Sequence, residues 1–271
     1  MAFLIILACL VLIYAVLWAL AVFKSDSADI DDGNPYLHKD KAKEILPEDM
    51  VRFAEDMPPA QSRNAGLYEK YFKRGIDVLF SFFGLLILSP VFIVLIIAIK
   101  VDDPGPVFFE QKRVGKNNCF FRLHKFRSMK MSTPHDTPTH MLQNPEQYIT
   151  RVGRILRKLS LDELPQIWDI FRGKMSIIGP RPALWNQADL VYEREQCGVN
   201  GLLPGLTGWA QINGRDELKI QDKVKLDAEY AKKVSFPFDA KCFFGTIFSV
   251  IKSDGVVEGG TGELEKQKVN K

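Results

Sequence analysis

The sequence predicts a helix-rich, mixed α/β domain that two apolar segments hold at a membrane. Three observations support this prediction. Residues 2–23 and 78–99 are uncharged runs of 22 residues each, the second half of the chain has several segments of helical periodicity, and residues 107–121 are typical of short strands joined by turns. The chain has 271 residues, of which 46% are hydrophobic and 25% charged. That is enough for one large domain with appendages.

The first apolar run is long enough to cross a bilayer. A helix over residues 2–23 would measure about 33 Å, and the hydrocarbon core of a bilayer is about 30 Å thick. A cleaved signal peptide is the alternative, but it begins with basic residues, and no Lys or Arg precedes Lys24. We therefore expect an additional N-terminal transmembrane helix over residues 1–23, with its amino terminus facing outward. Residues 24–67 hold ten acidic and six basic residues with four prolines, which predicts an acidic linker.

The second apolar run, residues 78–99, carries Ser89-Pro90 at its midpoint. Proline removes one helical hydrogen bond, and a serine hydroxyl can satisfy the carbonyl that is left. Basic residues flank the run on both sides, and positive charge favours the cytoplasmic face. We therefore predict a re-entrant helix that bends at Ser89 and Pro90, whereas a proline-kinked spanning helix is the alternative. The flanking basic residues are Lys70, Lys73 and Arg74 before the run and Lys100, Lys112, Arg113 and Lys116 after it.

The remaining elements follow from periodicity and turn residues. Short strands are predicted within residues 107–121, around turns at residues 103–106 and 115–118. An amphipathic helix is predicted from residue 151 to 159, with basic side chains on one face and Val152, Ile155, Leu156 and Leu159 on the other. Further helices are expected at 189–197, 220–234 and 240–251, and the glycine-containing tail at 258–271 should fray.

Charge and cysteine content narrow the class of function. The net charge is +3, and because the linker is acidic, the folded part is more basic than the whole. Such a surface suits phosphate-bearing partners or an anionic membrane, although an inert basic surface is the alternative. The four cysteines and four histidines show no metal-ligand spacing, which indicates reduced structural thiols and no zinc site.

Two adjacent carboxylates, Asp162 and Glu163, lie in a basic neighbourhood. A capping box of Ser160 and Glu163 is one structural interpretation, and a helix capped by Asp162 with Pro165 in its first turn is another. An ionised aspartate can attack phosphorus, and a neighbouring carboxylate can bind Mg²⁺. A pair on a solvated surface is the alternative.

Two further segments have residues suited to phosphate binding. Prolines on both sides hold Arg181 on a rigid turn at residues 179–182, which suits bidentate phosphate binding, although a surface ion pair is equally compatible. Residues 204–215 contain glycines that let backbone N–H groups approach a ligand, and they end at Arg215. Trp209 could stack on a base or anchor at a membrane interface, and a plain hairpin is the alternative for this segment.

Taken together and in order, these segments resemble the bacterial sugar transferase family, the monotopic phosphoglycosyl transferases, from about residue 68 to 257. The family has a re-entrant membrane helix and a compact cytosolic catalytic domain, so the resemblance implies this architecture for residues 68–257. The ordered set of motifs is highly specific. It comprises Tyr68-Glu69-Lys70-x-x-Lys73-Arg74-x-x-Asp77, Ser89-Pro90, Lys125-Phe126-Arg127-Ser128-Met129, Ser160-Leu161-Asp162-Glu163-Leu164-Pro165-Gln166, Gly179-Pro180-Arg181-Pro182 and residues 204–215.

The resemblance implies a two-step reaction at the cytoplasmic face of the bacterial inner membrane. Asp162 would attack a UDP-sugar and release UMP, and undecaprenyl phosphate would then take the phosphosugar from Asp162. This reaction initiates surface polysaccharide or glycoconjugate assembly. The partners implied are the UDP-sugar, undecaprenyl phosphate and membrane lipids but no nucleic acid, with a homo-oligomer possible through the N-terminal helix. The resemblance assigns Mg²⁺ to Glu163, phosphate binding to Arg157, Arg181 and Arg215, and positions lining the site to Lys125 and Asp227.

Two other interpretations stay open at this point. A non-enzymatic membrane scaffold that binds anionic lipid accounts for the basic and apolar segments, but not for the rigid arginine turn or the cluster around Asp162. A polytopic transferase with two spanning helices, using the lipid phosphate as a direct nucleophile, is the other. The sequence identifies neither the sugar nor the pathway.

Overall fold

The computed structural model describes residues 51–52, 56, 65–133, 145–214 and 218–251. The predicted N-terminal transmembrane helix over 1–23, nearly all of the linker at 24–67, Arg215 and the tail at 258–271 lie outside these residues. The described part is mixed α/β and rich in helix, as predicted. Its strands form two separate two-stranded sheets, one antiparallel and one parallel.

The longest element is helix α1, Arg74–Asp102, which continues from a π-helical stretch, Tyr68–Lys73. Pro90 lies inside α1 and does not end it. The carbonyl oxygen of Leu86 loses its helical donor because Pro90 has no N–H. Ser89 Oγ donates to that oxygen at 2.8 Å, so the predicted compensation by serine is confirmed. Ser89 and Pro90 therefore do not interrupt the helical backbone, because the lost hydrogen bond is replaced within one turn.

One face of α1 packs against the rest of the domain along its length. At its start, Arg74 donates to the carbonyl oxygens of Ile170 and Phe171, at 2.6 and 2.7 Å. At its end, Asp102 Oδ2 accepts from the backbone N–H of Val152 at 2.8 Å. Among the described residues, one helical stretch, Tyr68–Asp102, is long and apolar enough to cross a membrane. Its exposed side is a continuous apolar surface of Leu79, Phe80, Phe82, Phe83, Ile87, Val91, Val94, Ile97 and Val101.

The strands predicted near residues 107–121 are present as a hairpin. Strand β1, Phe108–Val114, pairs antiparallel with β2, Phe120–Phe126. The turn at Lys116–Asn118 has left-handed backbone at Asn117 and Asn118, a conformation that asparagine tolerates better than most residues. The Phe126 ring at the end of β2 packs on Phe92 of α1, which attaches the hairpin to the long helix.

Helix α2, Arg151–Lys158, is capped by Thr150, whose Oγ1 accepts from the backbone N–H of Gly153 at 2.8 Å. Leu156 is fully buried, whereas Ile155 and Leu159 are 58% and 56% exposed. The apolar face predicted for this helix is therefore only partly covered by the domain. The helix approaches the domain through a narrow stripe, where a Cβ on Gly153 would meet the carbonyl oxygen of Ser128 at 2.0 Å.

The rest of the domain follows a short turn, Leu161–Glu163, and helix α3, Gln166–Arg172. Strand β3, Ser176–Ile178, pairs in parallel with β4, Gly205–Thr207, and α5, Trp209–Ile212, follows β4 directly. Within residues 204–214, which the structure describes, the chain is therefore a strand followed by a helix and not a hairpin. Helices α4, Ala188–Gln196, α6, Ile220–Lys233, and α7, Phe236–Ile251, lie where the sequence predicted helices.

Two buried clusters hold these elements together. The first joins α1, β2 and α2 through Phe92, Ile99, Val107, Phe126 and Leu156. The second joins β3, α6 and α7 through Ile178, Val199, Leu202, Ala228, Tyr230, Ala231 and Cys242. Burial of such side chains contributes about 1.5–3 kcal/mol each, so these contacts help to fix the positions of β2, α2 and β3.

Candidate active site

Three segments far apart in sequence meet at one carboxylate. Glu163 Oε1 accepts a hydrogen bond from Lys125 Nζ of β2 at 3.1 Å and another from Nη2 of Arg181 at 2.8 Å. Lys125 Nζ also lies 3.9 Å from Oδ2 of Asp162. Asp162 and Glu163 are only 4% and 8% exposed, so this is a buried pair and not a solvated surface pair. The structure thus brings together four of the residues predicted to form the site.

The local backbone explains how the two carboxylates become buried. Ser160 has left-handed backbone (φ 54°), which ends the preceding helix and turns the chain into Leu161–Glu163. Its side chain makes no capping hydrogen bond, so the predicted capping box does not form. Helix α3 begins only at Gln166, with Pro165 at the cap position, and a start capped by Asp162 is therefore also wrong. The proline suits this position because its φ is already helical and no N–H is needed there.

The electrostatics of Glu163 are set by its two cationic partners. Burial by itself would raise the pKa of the Glu163 carboxyl. The charges and hydrogen bonds of Arg181 and Lys125 outweigh burial and hold that pKa well below its ordinary value. Glu163 is therefore ionised at neutral pH, and the two cations are concentrated beside both carboxylates.

Arg181 is held in place by backbone packing between two glycine-containing segments. Gly179 N donates to the carbonyl oxygen of Thr207 at 2.8 Å, and Gly205 N donates to that of Pro180 at 2.8 Å. A Cβ on Gly205 would lie 2.1 Å from the backbone nitrogen of Gly179. These glycines bring two backbones together; they were expected to bring a backbone close to a ligand. The result is a fixed base for the arginine.

Asp227 lies behind this loop. Its Oδ2 accepts from Nε and Nη2 of Arg194 at 3.0 and 2.6 Å, and Arg194 Nη1 donates to the carbonyl oxygen of Arg181 at 2.9 Å. Asp227 is 1% exposed. The structure therefore places it as a support for the arginine loop, whereas the family resemblance implied a position lining the site. Arg194 itself was missed because it belongs to no motif.

Other predicted residues are held near the site or packed away from it. Arg157 Nε donates to Ser128 Oγ at 2.9 Å, which holds this side chain between α2 and the end of the β2 segment. Trp209 donates from its indole nitrogen to Glu229 at 2.9 Å and has Lys241 Nζ 4.3 Å from its ring centroid, so it is a packing residue here. Arg215 lies outside the described residues.

A buried histidine and aspartate adjoin the site and were not predicted. His124 precedes Lys125 on β2, and Asp169 belongs to α3. Asp169 accepts from both the backbone nitrogen and the imidazole Nδ1 of His124, at 3.0 and 2.6 Å. His124 and Asp169 are 45 positions apart in the chain, which leaves no local signal in the sequence, and His124 lies beyond the strands predicted within residues 107–121.

The sequence profile of the family described as bacterial sugar transferase matches residues 68–253, which include every contact described above. The chain belongs to the bacterial sugar transferase family. The undecaprenyl-phosphate glucose phosphotransferase of Komagataeibacter xylinus is 40% identical over 197 residues, covering 69% of this chain and 37% of that protein. The UDP-glucose:undecaprenyl-phosphate glucose-1-phosphate transferase of Escherichia coli K12 is 40% identical over 187 residues, covering 65% of this chain and 39% of that protein.

Another relative is closer to this chain in length. The exopolysaccharide production protein ExoY of Rhizobium meliloti is 36% identical over 197 residues, which cover 68% of this chain and 87% of ExoY. The match thus spans well under half of the two glucose phosphotransferases but most of ExoY. The buried carboxylates and their cations lie inside residues 68–253, which the family profile matches.

Proposed function

We propose that this bacterial sugar transferase moves a sugar-1-phosphate from a UDP-sugar to undecaprenyl phosphate and releases UMP. The observation that carries the proposal is the buried pair Asp162 and Glu163, with Lys125 and Arg181 bound to it. Two relatives are named for transfer to undecaprenyl phosphate, and ExoY is named for exopolysaccharide production. The product would accordingly start the assembly of a surface polysaccharide.

In the first step, a carboxylate oxygen of Asp162 attacks the sugar-bearing phosphorus of the UDP-sugar. The bond from that phosphorus to the bridging oxygen breaks, UMP leaves with the bond electrons, and the phosphosugar is joined to Asp162 as an acyl phosphate. In the second step, an oxygen of undecaprenyl phosphate attacks the same phosphorus. The acyl phosphate bond breaks, the Asp162 carboxylate is restored, and an undecaprenyl diphosphate sugar is released.

Phosphoryl transfer needs positioning and neutralised charge more than proton chemistry. Lys125 and Arg181 supply two positive charges beside the carboxylates, where the diphosphate must bind. The oxygen donors of Asp162 and Glu163 fit Mg²⁺, which is commonly bound by one or two carboxylates together with substrate phosphates. Glu163 and Asp162 are the residues that would hold Mg²⁺. When bound, Mg²⁺ would neutralise further phosphate charge.

We place the catalytic domain on the cytoplasmic side of the inner membrane, and the packing of α1 supports an arrangement in which both ends of this helix lie on the same side, as a re-entrant helix requires. A straight helix of 29 residues measures about 43 Å, and spanning would place its ends on opposite sides. Both ends of α1 instead contact the same domain, through Arg74 and Asp102, while the other face is apolar and exposed. Single cysteines at Lys70 and Lys116 test this in intact cells with an impermeant maleimide. Equal protection is expected, and labelling of only one would establish a spanning helix.

The activity itself is tested with a panel of UDP-sugars, undecaprenyl phosphate and Mg²⁺, scored for UMP. We expect one or more sugars to give UMP, and Asp162→Asn to abolish its release. Release that Asp162→Asn leaves undiminished would exclude the covalent route. Complete inactivity with every sugar would favour a scaffold that binds anionic lipid through the basic and apolar surfaces.

A further inference from the structure

The site is built from two segments that are far apart in the sequence. Lys125 lies on β2, whereas Asp162 and Glu163 lie in the turn before α3. Their relative position depends on how β2 is attached to α3. A displacement of about 1 Å in such a site costs about 10²-fold in rate, so the attachment matters for catalysis.

Phe121 and Leu123 of β2 pack in one cluster with Ile170 of α3, and Asp169 of α3 adds a polar attachment at the residue next to Lys125. Its Oδ2 accepts from the backbone N–H of His124 at 3.0 Å, and its Oδ1 accepts from the imidazole Nδ1 at 2.6 Å. Asp169 and His124 are 1% and 5% exposed. One carboxylate therefore fixes both the backbone and the side chain of a strand residue, with no water competing for the two bonds.

The far side of the imidazole also faces acid. Nε2 of His124 lies 4.0 Å from Oε1 of Glu110 on β1, and Glu110 in turn accepts from Nη1 of Arg122 at 2.8 Å. Burial favours the neutral ring, but the hydrogen bond and charge of Asp169, with the charge of Glu110, raise the pKa of His124 above its ordinary value. A protonated ring donates to Asp169 through a charge-assisted bond, which is stronger than a neutral one.

A buried ion pair is a poor source of net stability, because desolvation offsets most of its attraction. The effect of such a pair here is to fix the position of β2 relative to α3. We propose that His124 and Asp169 are positioning residues for phosphoryl transfer, holding β2 on α3 so that Lys125 stays between Asp162 and Glu163. This inference rests on the proposed transferase activity. The hydrogen bonds and ion pairs of His124 and Asp169 do not include Asp162 or Glu163, so both residues act through Lys125.

The test compares His124→Leu, which removes the side-chain donor to Asp169 and keeps the backbone donor, with His124→Asn, whose amide N–H lies near the position of Nδ1. We expect His124→Leu to lower kcat for UMP release by about 10²-fold, with KM for the UDP-sugar changed less than about threefold. His124→Asn should restore kcat to within about fivefold of the wild type. Asn200→Ala, which removes buried hydrogen bonds to Val191 and Glu195 in another part of the domain, is the control for a general packing effect.

The pH profile separates positioning from folding. Because the pKa of His124 is raised in the fold, the charge on its ring is lost as pH rises through that value, above 6.5. Burial also raises the pKa of Asp169, so the charged bond is lost again at lower pH, where Asp169 takes up a proton. Wild-type kcat should therefore decline as pH rises through the pKa of His124, and the decline should be absent in His124→Asn. If His124→Leu does not fold, this comparison decides alone.

Three results would overturn the inference: wild-type kcat in His124→Leu, an equal loss in Asn200→Ala, or a wild-type pH profile in His124→Asn. A wild-type enzyme that releases UMP, together with an inactive Asp162→Asn, would show in each case that the proposed function still stands. An active Asp162→Asn would instead point to failure of the proposed function.

Discussion

Replacing Arg181 with methionine tests the electrostatic design of the site. The substitution keeps the unbranched side chain but removes the guanidinium 2.8 Å from Glu163, and the side chains of the two partners are only 22% and 10% exposed. Removing one partner of a buried pair costs about 3–5 kcal/mol. Because Lys125 still binds the same oxygen at 3.1 Å, we expect the low end, about 3 kcal/mol. Urea unfolding in detergent, followed by tryptophan fluorescence, measures this difference.

The pH dependence gives a second, independent check. The pKa of Glu163 is depressed in the fold, so its ionised form adds stability above 4.5, and this is lost as pH falls through the lower folded value. The stability difference between the wild type and Arg181→Met should therefore shrink below about pH 4.5. Lys225→Met is the matched control, because its pair with Asp222 is exposed and should contribute less than about 1 kcal/mol. Equal costs for the two substitutions, at all pH values, would refute the reasoning.

Two further substitutions test the backbone packing. Gly205→Ala would place a Cβ 2.1 Å from the backbone of Gly179, so we expect a loss of at least about 1–3 kcal/mol together with reduced UMP release; wild-type stability would contradict this close packing. Ser89→Ala should cost about 1–3 kcal/mol by leaving the Leu86 carbonyl unsatisfied, and adding Pro90→Ala should recover it by restoring the backbone donor. Thermal unfolding in the same detergent measures both, and a double variant no more stable than Ser89→Ala would argue against the compensation.

Local patterns predicted the elements of this fold well. The helices α4, α6 and α7 follow from apolar periodicity, and the hairpin follows from turn residues such as Asn117 and Asn118, whose conformation is set within a few residues. Ile155 and Leu159 belong to the predicted apolar face of α2, yet their side chains are exposed. Periodicity identifies an apolar face but does not show how wide a stripe of that face a neighbouring element covers.

The site was predicted in part for a similar reason. Asp162, Glu163, Lys125 and Arg181 belong to recognisable motifs, and the structure brings them together. The supporting pairs are different, since Arg194 reaches Asp227 across 33 residues, and only the tertiary fold makes them neighbours. Nor does a glycine in the sequence reveal whether a ligand or another backbone approaches it.

The supporting residues share one physical role. Arg194 and Asp227 hold the loop that carries Arg181, and His124 and Asp169 hold the strand that carries Lys125. Both pairs are buried and charged. His124 is next to Lys125 in the chain, and Arg194 donates to the backbone of Arg181, so each pair is one step from a cation that binds Glu163. The two ion pairs therefore hold the backbone segments that carry Lys125 and Arg181. The charged ends of these two side chains stay directed at Glu163 and at the phosphate that it would meet.

The central claim is that Asp162 itself carries the phosphosugar during the reaction. Incubation of the protein with a UDP-sugar radiolabelled in the sugar, with Mg²⁺ but without undecaprenyl phosphate, tests it directly. We expect label to accumulate on the peptide containing Asp162, to be absent in Asp162→Asn, and to leave the protein when undecaprenyl phosphate is added. An unlabelled protein that nevertheless forms the undecaprenyl diphosphate sugar once the acceptor is present would contradict the account.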